Sequence, residues 1–410
     1  HALYTILPAG LLRSLIVSGI INGVGGVLGF VPLIMFMFFG IAFLEDSGYL
    51  ARVAFMLDRV FRIFGLHGSS VMAFIVSGGI AGGCAVPGVM ATRTLKSPRE
   101  RMATLLTVPF MNCGAKLPVF ALLIAAFFAS YKAVIMFCIT LGAWAGALLV
   151  AKLLRVTVIK GASTPFVMEL PPYRMPTFKG LAIHTWERTW QYIQKAGTVI
   201  LGFSILLWAM MTFPMLPEPM VAEFETRRQS LLDSVPVSVS GDLENTDEGI
   251  NLSGAALDLK KQLQDLDHTE AEARLKYSAA GRIGTALESV SQWAGFGWRA
   301  NIALIGGFAA KEVMVSTLGT AFSLGEVDPE ASGSLSEKLA KDPNWSPLMA
   351  LALIVFTMFY APCFVAVVCI SRESGSWKWG AFAVFFNTLL AFSLAVLIFQ
   401  IGSAFGVLVK

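Results

Sequence analysis

Residues 82–118 read GGCAVPGVMATRTLKSPRERMATLLTVPFMNCGAKLP. The stretch sets Cys84 and Cys113 in two apolar segments, each broken by Gly or Pro, with Arg93, Lys96, Arg99 and Arg101 between them. A break frees backbone N–H and C=O groups that lipid cannot satisfy, so a broken helix survives in a membrane only inside protein or against a cavity. Two broken segments with a thiol at each break therefore look like two walls of a site.

The rest of the chain is apolar enough to hold such a site. Hydrophobic residues make up 56% of the sequence and charged residues 14%, against roughly 25% charged in a soluble domain. Runs long enough to span a bilayer, about 20 residues each, lie at 27–44, 70–90, 103–128, 133–151, 190–213, 300–322, 347–370 and 379–408. The expected fold is an all-α polytopic membrane protein with about eight transmembrane helices, several broken. Leu11, Leu12, Leu15 and Ile16 share one face of a helix at 7–22 that would lie in the interface. Cys84, Cys113, Cys138, Cys363 and Cys369 form no CxxC pair, which argues against a disulfide framework or a zinc knuckle. The sequence opens on His1 rather than Met, so a preceding segment is expected.

Charge placement suggests an orientation. Lys152, Arg155, Lys160, Arg174, Lys179, Arg188 and Lys195 outnumber Glu169 and Glu187, and the run Arg93–Arg101 is also basic. By the positive-inside rule both segments are cytoplasmic. Residues 214–276 hold 13 acidic and 6 basic residues, which places 214–283 outside. Eight crossings then leave both termini in the cytoplasm. Arg52, Arg59 and Arg62 fall outside in this scheme, offset by Glu45, Asp46 and Asp58. Glu45 and Asp46, at the outer edge of the first span, would gather cations there, or simply end a helix in water.

A repeat lies in the breaks. With Gly82 and Gly83 set over Gly306 and Gly307, Ala85 falls on Ala309, Val89 and Met90 on Val313 and Met314, Cys84 on Phe308, Pro87 on Lys311 and Gly88 on Glu312. With Thr107 over Thr357, Cys113 falls on Cys363. The chain then divides into a first repeat at 1–155, a cytoplasmic linker at 156–189 and a second repeat at 190–410, the two running parallel. Transporters commonly place the substrate at such a repeat interface, on discontinuous helices. Thiolates at Cys84, Cys113 and Cys363 suit a soft or borderline transition metal, and the Glu312 carboxylate admits ferrous iron or manganese. An intramembrane Lys311–Glu312 pair is a functional candidate, or a structural lock in which the two satisfy each other or the backbone.

Taken in order, LEDSGYLARVAFMLDR (44–59), GCAVPGVMATRT (83–94), VPFMNCGAKLP (108–118), ELPPYRMPT (169–177), GFAAKEVMVSTLG (307–319), YAPC (360–363) and ESGSWKW (373–379) resemble the membrane gate region of the FeoB family of ferrous iron transporters. The resemblance implies inward movement of Fe²⁺ as substrate across a bacterial inner membrane. It implies Cys84 and Cys113 as iron ligands, with Gly83, Pro87, Pro109, Lys311 and Pro362 supporting the gates. It further implies a GTPase domain binding GTP and Mg²⁺, in cis or in trans; no GxxxxGK[ST] loop occurs in this sequence, and the chain itself is expected not to be an enzyme. Expected partners are the lipid bilayer, small accessory Feo-type proteins and further copies of the chain, and no nucleic acid. Val108, Lys116 and Phe120 stand where the family pattern often has Asn, Arg and Tyr. Two other functions remain open: transport of another divalent metal (Mn²⁺, Zn²⁺, Co²⁺) or a nucleoside-like solute, and a non-transporting membrane scaffold.

Overall fold

The computed structural model describes residue 15 and residues 22–79, 83–95, 97–161, 172–233, 254–322 and 333–406. Residues 7–14 and 16–21 of the expected interfacial helix, the low-complexity run at 234–249 and Gly82 lie outside them. The described residues are helical throughout, without a strand. In the first half they form α1 (Asn22–Asp46), α2 (Tyr49–Ile63), α3 (Ser70–Phe74), α4 (Ala85–Ala91), α5 (Pro98–Thr107), α6 (Leu117–Phe127) and α7 (Lys132–Thr157). In the second they form α8 (Phe178–Thr212), α9 (Glu218–Asp233), α10 (Gly254–Tyr277), α11 (Ala279–Ser291), α12 (Trp298–Ala309), α13 (Val313–Ala321), α14 (Gly333–Lys341), α15 (Pro347–Phe359), α16 (Phe364–Ser374) and α17 (Trp377–Ala404).

Among the described residues, four stretches are long and apolar enough to cross a membrane: Pro98–Phe127, Ala129–Thr157, Pro347–Ser374 and Trp377–Ala404. Two of them are broken in the middle, where the sequence dictates. Pro109 lies in a short 3₁₀ turn, Val108–Phe110, and residues 111–113 then run extended into the turn Gly114–Lys116 before α6. In the second span Ala361 and Pro362 separate α15 from α16. Proline supplies no N–H and crowds the preceding turn, so neither helix runs through. Starts are equally local. Ser346 accepts from Met349 N at 3.2 Å with Pro347 in the first turn, and Ser278 accepts from Gly281 N at 3.2 Å. Both are N-caps that satisfy an otherwise orphaned donor.

The apolar run at 70–90 does not cross. α3 continues through a wide turn, Ile75–Gly79, and the chain then reverses into α4. Cys84 N donates to Val76 O at 3.1 Å, and Gly88 lies against Ala73 and Ser77, so the two arms are antiparallel. The run at 300–322 behaves likewise. Gly306 packs on Thr317, Gly307 on Met314, and the Arg299 guanidinium sits 4.8 Å from the Phe322 ring. Each run is a hairpin with antiparallel arms, the first turning between Gly78 and Gly83 and the second near 310–312. The expected count of eight crossings is not confirmed: each arm is about half a span long.

The hairpins enter from opposite ends. Ser70 and Thr104 hydroxyls meet at 2.8 Å, which puts the mouth of the first hairpin at the Pro98 end of the first broken span. Phe127, at the other end of that span, stacks 6.4 Å from Trp345, and Trp345 lies 6.3 Å from Phe322 at the mouth of the second hairpin. Opposed entry does not confirm the two parallel repeats read from the sequence. The parallel reading counted each hairpin as a crossing, and one false crossing reverses the direction of everything after it.

The same geometry moves several charges. Glu45 pairs with Arg188 at 2.8 Å, and the Arg52 guanidinium lies 3.3 Å from the Tyr173 ring centre. Gly65 abuts Arg155, and Arg99 packs on Gly161. Glu45, α2 and the two basic segments therefore share one end of the molecule. Arg52, Arg59 and Arg62 join the other basic residues instead of opposing them, and Glu45 and Asp46 do not sit at the opposite mouth. The segment after α8 lies at the other end: Ala279 N donates to Phe213 O at 2.8 Å, and Gly284 packs on Ile302 and Trp298. α17 starts beside Ser371 at the basic end, and Gln400 near its finish donates to Trp293 O at 2.9 Å. α17 therefore finishes opposite the basic face.

Candidate functional site

The two hairpin tips meet the two broken spans at mid-height. Gly78 takes φ 135°, and a Cβ there would lie 2.4 Å from Asn112 O, so the first tip rests directly on the backbone of the first break. Ser77 Oγ donates to Val108 O at 3.0 Å, and Gly114 N donates to Gly83 O at 2.9 Å. The buried Gly83 is needed for that approach, because a Cβ would meet Gly78 N at 2.2 Å. The second tip is tied to the second break by Lys311, whose ammonium donates to Ala361 O at 2.8 Å and lies 3.9 Å from the Tyr360 ring centre. Tyr360 in turn donates to Leu304 O at 3.3 Å.

All four candidate metal ligands occupy the same kind of position. Cys84 caps the start of α4, Cys113 the turn leading into α6, Glu312 the start of α13 and Cys363 the start of α16. A helix start carries partial positive charge and unpaired N–H groups, so it favours a negative side chain. Cys84 lies within electrostatic range of Cys363, Cys113 and Glu312, and Cys363 within range of Cys113, Lys311 and Glu312. Each of the four keeps some accessible surface although the breaks around them are largely buried. Among the described residues no three His, Cys, Asp or Glu side chains are arranged to hold a metal ion. In this conformation the four converge without closing a ligand shell.

The pairing between hairpins differs from the sequence alignment. Glu312, not Phe308, is the counterpart of Cys84, since both cap the returning helix of their hairpin. Phe308 instead packs edge-on against Phe203 at 6.4 Å and Phe364 at 6.1 Å. Cys113 and Cys363 remain counterparts, each capping the second half of a broken span. Of the supporting residues, Pro109 and Pro362 lie at the two breaks and Pro87 in the first turn of α4. Glu45 and Asp46 are not part of this cluster. Cys138 is exposed on α7, and Cys369 packs beside Cys84 and Cys363 on α16.

Lys116, which the sequence marked only as a departure from the family pattern, sits among the backbone carbonyls of both breaks. It is 2% exposed, and its Nζ faces Met358 O at 2.9 Å, Met111 O at 3.1 Å, Pro109 O at 3.3 Å and Phe110 O at 3.4 Å. The available signal was a lysine three residues past a break in an apolar run, a place where freed carbonyls require a donor.

At the basic end, Glu373 closes the assembly. Arg93 Nε donates to both its carboxylate oxygens at 2.9 Å, and Arg101 donates to Oε2 at 2.9 Å and to the Glu373 carbonyl at 3.1 Å. The carboxylate is 7% exposed, so the loop after the first hairpin is fastened to the end of α16. Burial and that hydrogen bonding act on Arg93 in opposite senses, and the bond to Glu373 wins, holding the guanidinium above its usual range.

Hairpins and broken spans meeting at capping thiols define a polytopic helical membrane protein with an internal site. Comparison with known proteins gives this class a family. The model of the Gate family, described as nucleoside recognition, matches residues 27–127 and 193–377, and that of the ferrous iron transport protein B C terminus matches 136–188 between them. A fusion of Fe(2+) transport protein A with the Fe(2+) transporter FeoB from Porphyromonas gingivalis is 38% identical over 98% of this chain and 46% of its own length. Fe(2+) transporters FeoB from Helicobacter pylori and Campylobacter jejuni are 39% and 38% identical, over 95% and 94% of this chain and 57% and 54% of theirs. The chain spans about half the length of these curated relatives. No solved structure matches it. The chain belongs to the Gate family, in the form that carries the FeoB C-terminal region between its two Gate stretches.

Proposed function

We propose that this chain carries Fe²⁺ inward across a bacterial inner membrane, with Cys84, Cys113, Cys363 and Glu312 as the ligands met on the way. The observation that carries the reading is the convergence of four helix starts, each capped by a side chain able to bind a transition metal. Thiolate with one carboxylate is a donor set for a borderline divalent metal. The names of the relatives agree with iron as the cargo.

The positive-inside rule makes the basic end cytoplasmic and the end with residues 214–283 periplasmic. Two inverted repeats, each an entering hairpin with a broken span, then give one half of the path to each side, and rocking one against the other would alternate access. A GTPase domain outside these residues, binding GTP and Mg²⁺ in cis or in trans, would regulate or drive the change. Accessory Feo-type proteins and further copies of the chain are the expected partners, since one relative is itself a fusion with Fe(2+) transport protein A.

The test has two parts. Co²⁺ added to the purified chain should produce thiolate-to-metal absorption that weakens in Cys113→Ser and not in Cys138→Ser. Radiolabelled ferrous iron uptake by cells carrying the full-length protein should fall about tenfold or more in Cys113→Ser and Glu312→Gln. Wild-type uptake in both variants would remove these residues from the path. The Gate family's printed description favours one second reading, a nucleoside-like solute. It requires uptake of labelled nucleoside by the same cells, insensitive to Cys113→Ser.

A further inference from the structure

The groups around Lys116 make an unusual environment for a side chain. Three carbonyls come from one stretch, Pro109 to Met111, and the fourth, Met358, comes from the other broken span. All four face Nζ at 2.9–3.4 Å. An ammonium has three N–H donors and no acceptor, so four oxygens exceed what hydrogen bonding alone requires. Converging carbonyl oxygens that replace a hydration shell are how membrane proteins coordinate potassium-sized ions. Pro109 and the chain near Pro362 interrupt their helices, so these carbonyls lack the usual helical partner, although Met111 O also accepts from Cys113 N at 3.0 Å, and in a lipid setting such carbonyls must find a partner.

We propose that the two breaks together form a monovalent-cation site of the K⁺ or NH₄⁺ class, which Lys116 fills as a tethered ion. The ammonium joins the halves by charge. Its stem leaves the start of α6, its head is held by both breaks, and both cysteines that cap those breaks, Cys113 and Cys363, lie within its electrostatic range. Lys116 is thus a positioning residue for the cargo site, setting the distance between Cys113 and Cys363. It also keeps a free monovalent ion from lodging beside the divalent path. Lys311 does not share this role: it meets one carbonyl, Ala361 O, and completes its surroundings with the Tyr360 ring.

The proposal rests on the carbonyl geometry and is independent of the cargo's identity, so its test uses stability rather than transport. Thermal unfolding of the purified chain is measured in ammonium, potassium and choline chloride at equal ionic strength, for wild type and Lys116→Ala. Truncation to Ala leaves room for a free ion among the four carbonyls. A ligand that binds only the folded form raises the midpoint as its concentration passes its dissociation constant. Lys116→Ala should therefore melt below wild type in choline and recover by about 4 °C or more in ammonium or potassium, while wild type, whose site is filled, shows no such difference. A loss in Lys116→Ala that is equal in all three salts overturns the proposal, as does wild-type stability in choline. If Lys116→Ala yields no folded protein, the series is repeated with Lys116→Ser, whose hydroxyl can help solvate an ion. Failure of both to fold even in molar ammonium also overturns it, because a cage that accepts a free ion would be stabilised by one.

Discussion

Replacing Gly78 by alanine tests whether the first hairpin tip sets the site. Gly78 has φ 135° and ψ 17°, a conformation L side chains rarely adopt, and holding one in a disallowed region costs about 1–3 kcal/mol. The new methyl would also lie 2.4 Å from Asn112 O, 2.6 Å from Asn112 C and 3.0 Å from Cys113 N. None of these atoms belongs to a side chain that could swing away. The backbone is fastened on both flanks, by Gly114 N to Gly83 O at 2.9 Å and by Ser77 Oγ to Val108 O at 3.0 Å. Overpacking against fixed groups adds about 1–3 kcal/mol, so the two terms together reach about 2–6 kcal/mol. Part of that is relieved by pushing Cys113 away from the tip, and a displacement near 1 Å at a reacting centre can cost about a hundredfold in rate. Gly78→Ala should therefore unfold well below wild type in detergent and lose most ferrous iron uptake. Gly40→Ala is the control, because a Cβ there meets nothing within 4 Å. Wild-type melting and uptake in Gly78→Ala would show that the tip does not rest on the break as described.

Three further outcomes follow from other parts of the molecule. Glu373→Gln removes a buried carboxylate from two arginines that are themselves 60% and 32% exposed; after allowance for solvent screening the loss should be about 1 kcal/mol. Added salt should narrow the difference from wild type, and a gap that persists in molar salt would mean the contact is not chiefly ionic. Arg59→Cys and Lys160→Cys should react with an impermeant thiol reagent from one side of the membrane and Arg282→Cys from the other, in a background lacking exposed Cys138; labelling of Arg59→Cys together with Arg282→Cys would restore the topology read from the sequence. Lys311→Met should bind Co²⁺ about tenfold or more tightly while turning over more slowly, since it removes a positive charge from beside Cys363, Cys113 and Glu312; weaker binding would instead mark Lys311 as the structural lock that places Glu312.

The sequence marked the candidate positions more fully than the path of the chain. Cys84, Cys113, Cys363 and Glu312 could be picked out because a polar group beside a Gly or Pro break in an apolar run needs a reason, and lipid allows few. The same rule did not show which way the chain left each break. A half-span hairpin and a whole span have the same composition, and only contacts such as Cys84 N to Val76 O separate them. That ambiguity misplaced Arg52, Arg59 and Arg62, whose awkward position outside was itself the sign of a miscounted crossing. The alignment of Cys84 with Phe308 failed for a related reason. It matched Gly-Gly pairs at 82–83 and 306–307, but Gly83 precedes the start of α4 whereas Gly306 and Gly307 lie within α12. Lys116 was named only as a departure from the family pattern, because its four partners are backbone atoms, which no side-chain pattern records.

The charges at the site suggest why cysteine, and not only carboxylate, stands at these helix starts. Lys116 and Lys311 both lie within range of Cys113 and Cys363, and Glu312 is the acidic residue in the same group. Metal ligation requires the thiols as thiolates and releases their protons when the ion arrives. Three thiolates and one carboxylate set against two ammonium groups leave a deficit of two charges, which one divalent cation fills. A set of four permanent carboxylates would hold that deficit while empty, in surroundings where unpaired charge is costly, and would bind hard and monovalent ions as readily. Thiols let the site develop its negative charge only with its cargo. On the proposed reading, positive charge from Lys116 and Lys311 beside the thiols would oppose a second divalent ion. On this account the selectivity of the path depends on the two lysines as much as on the ligands.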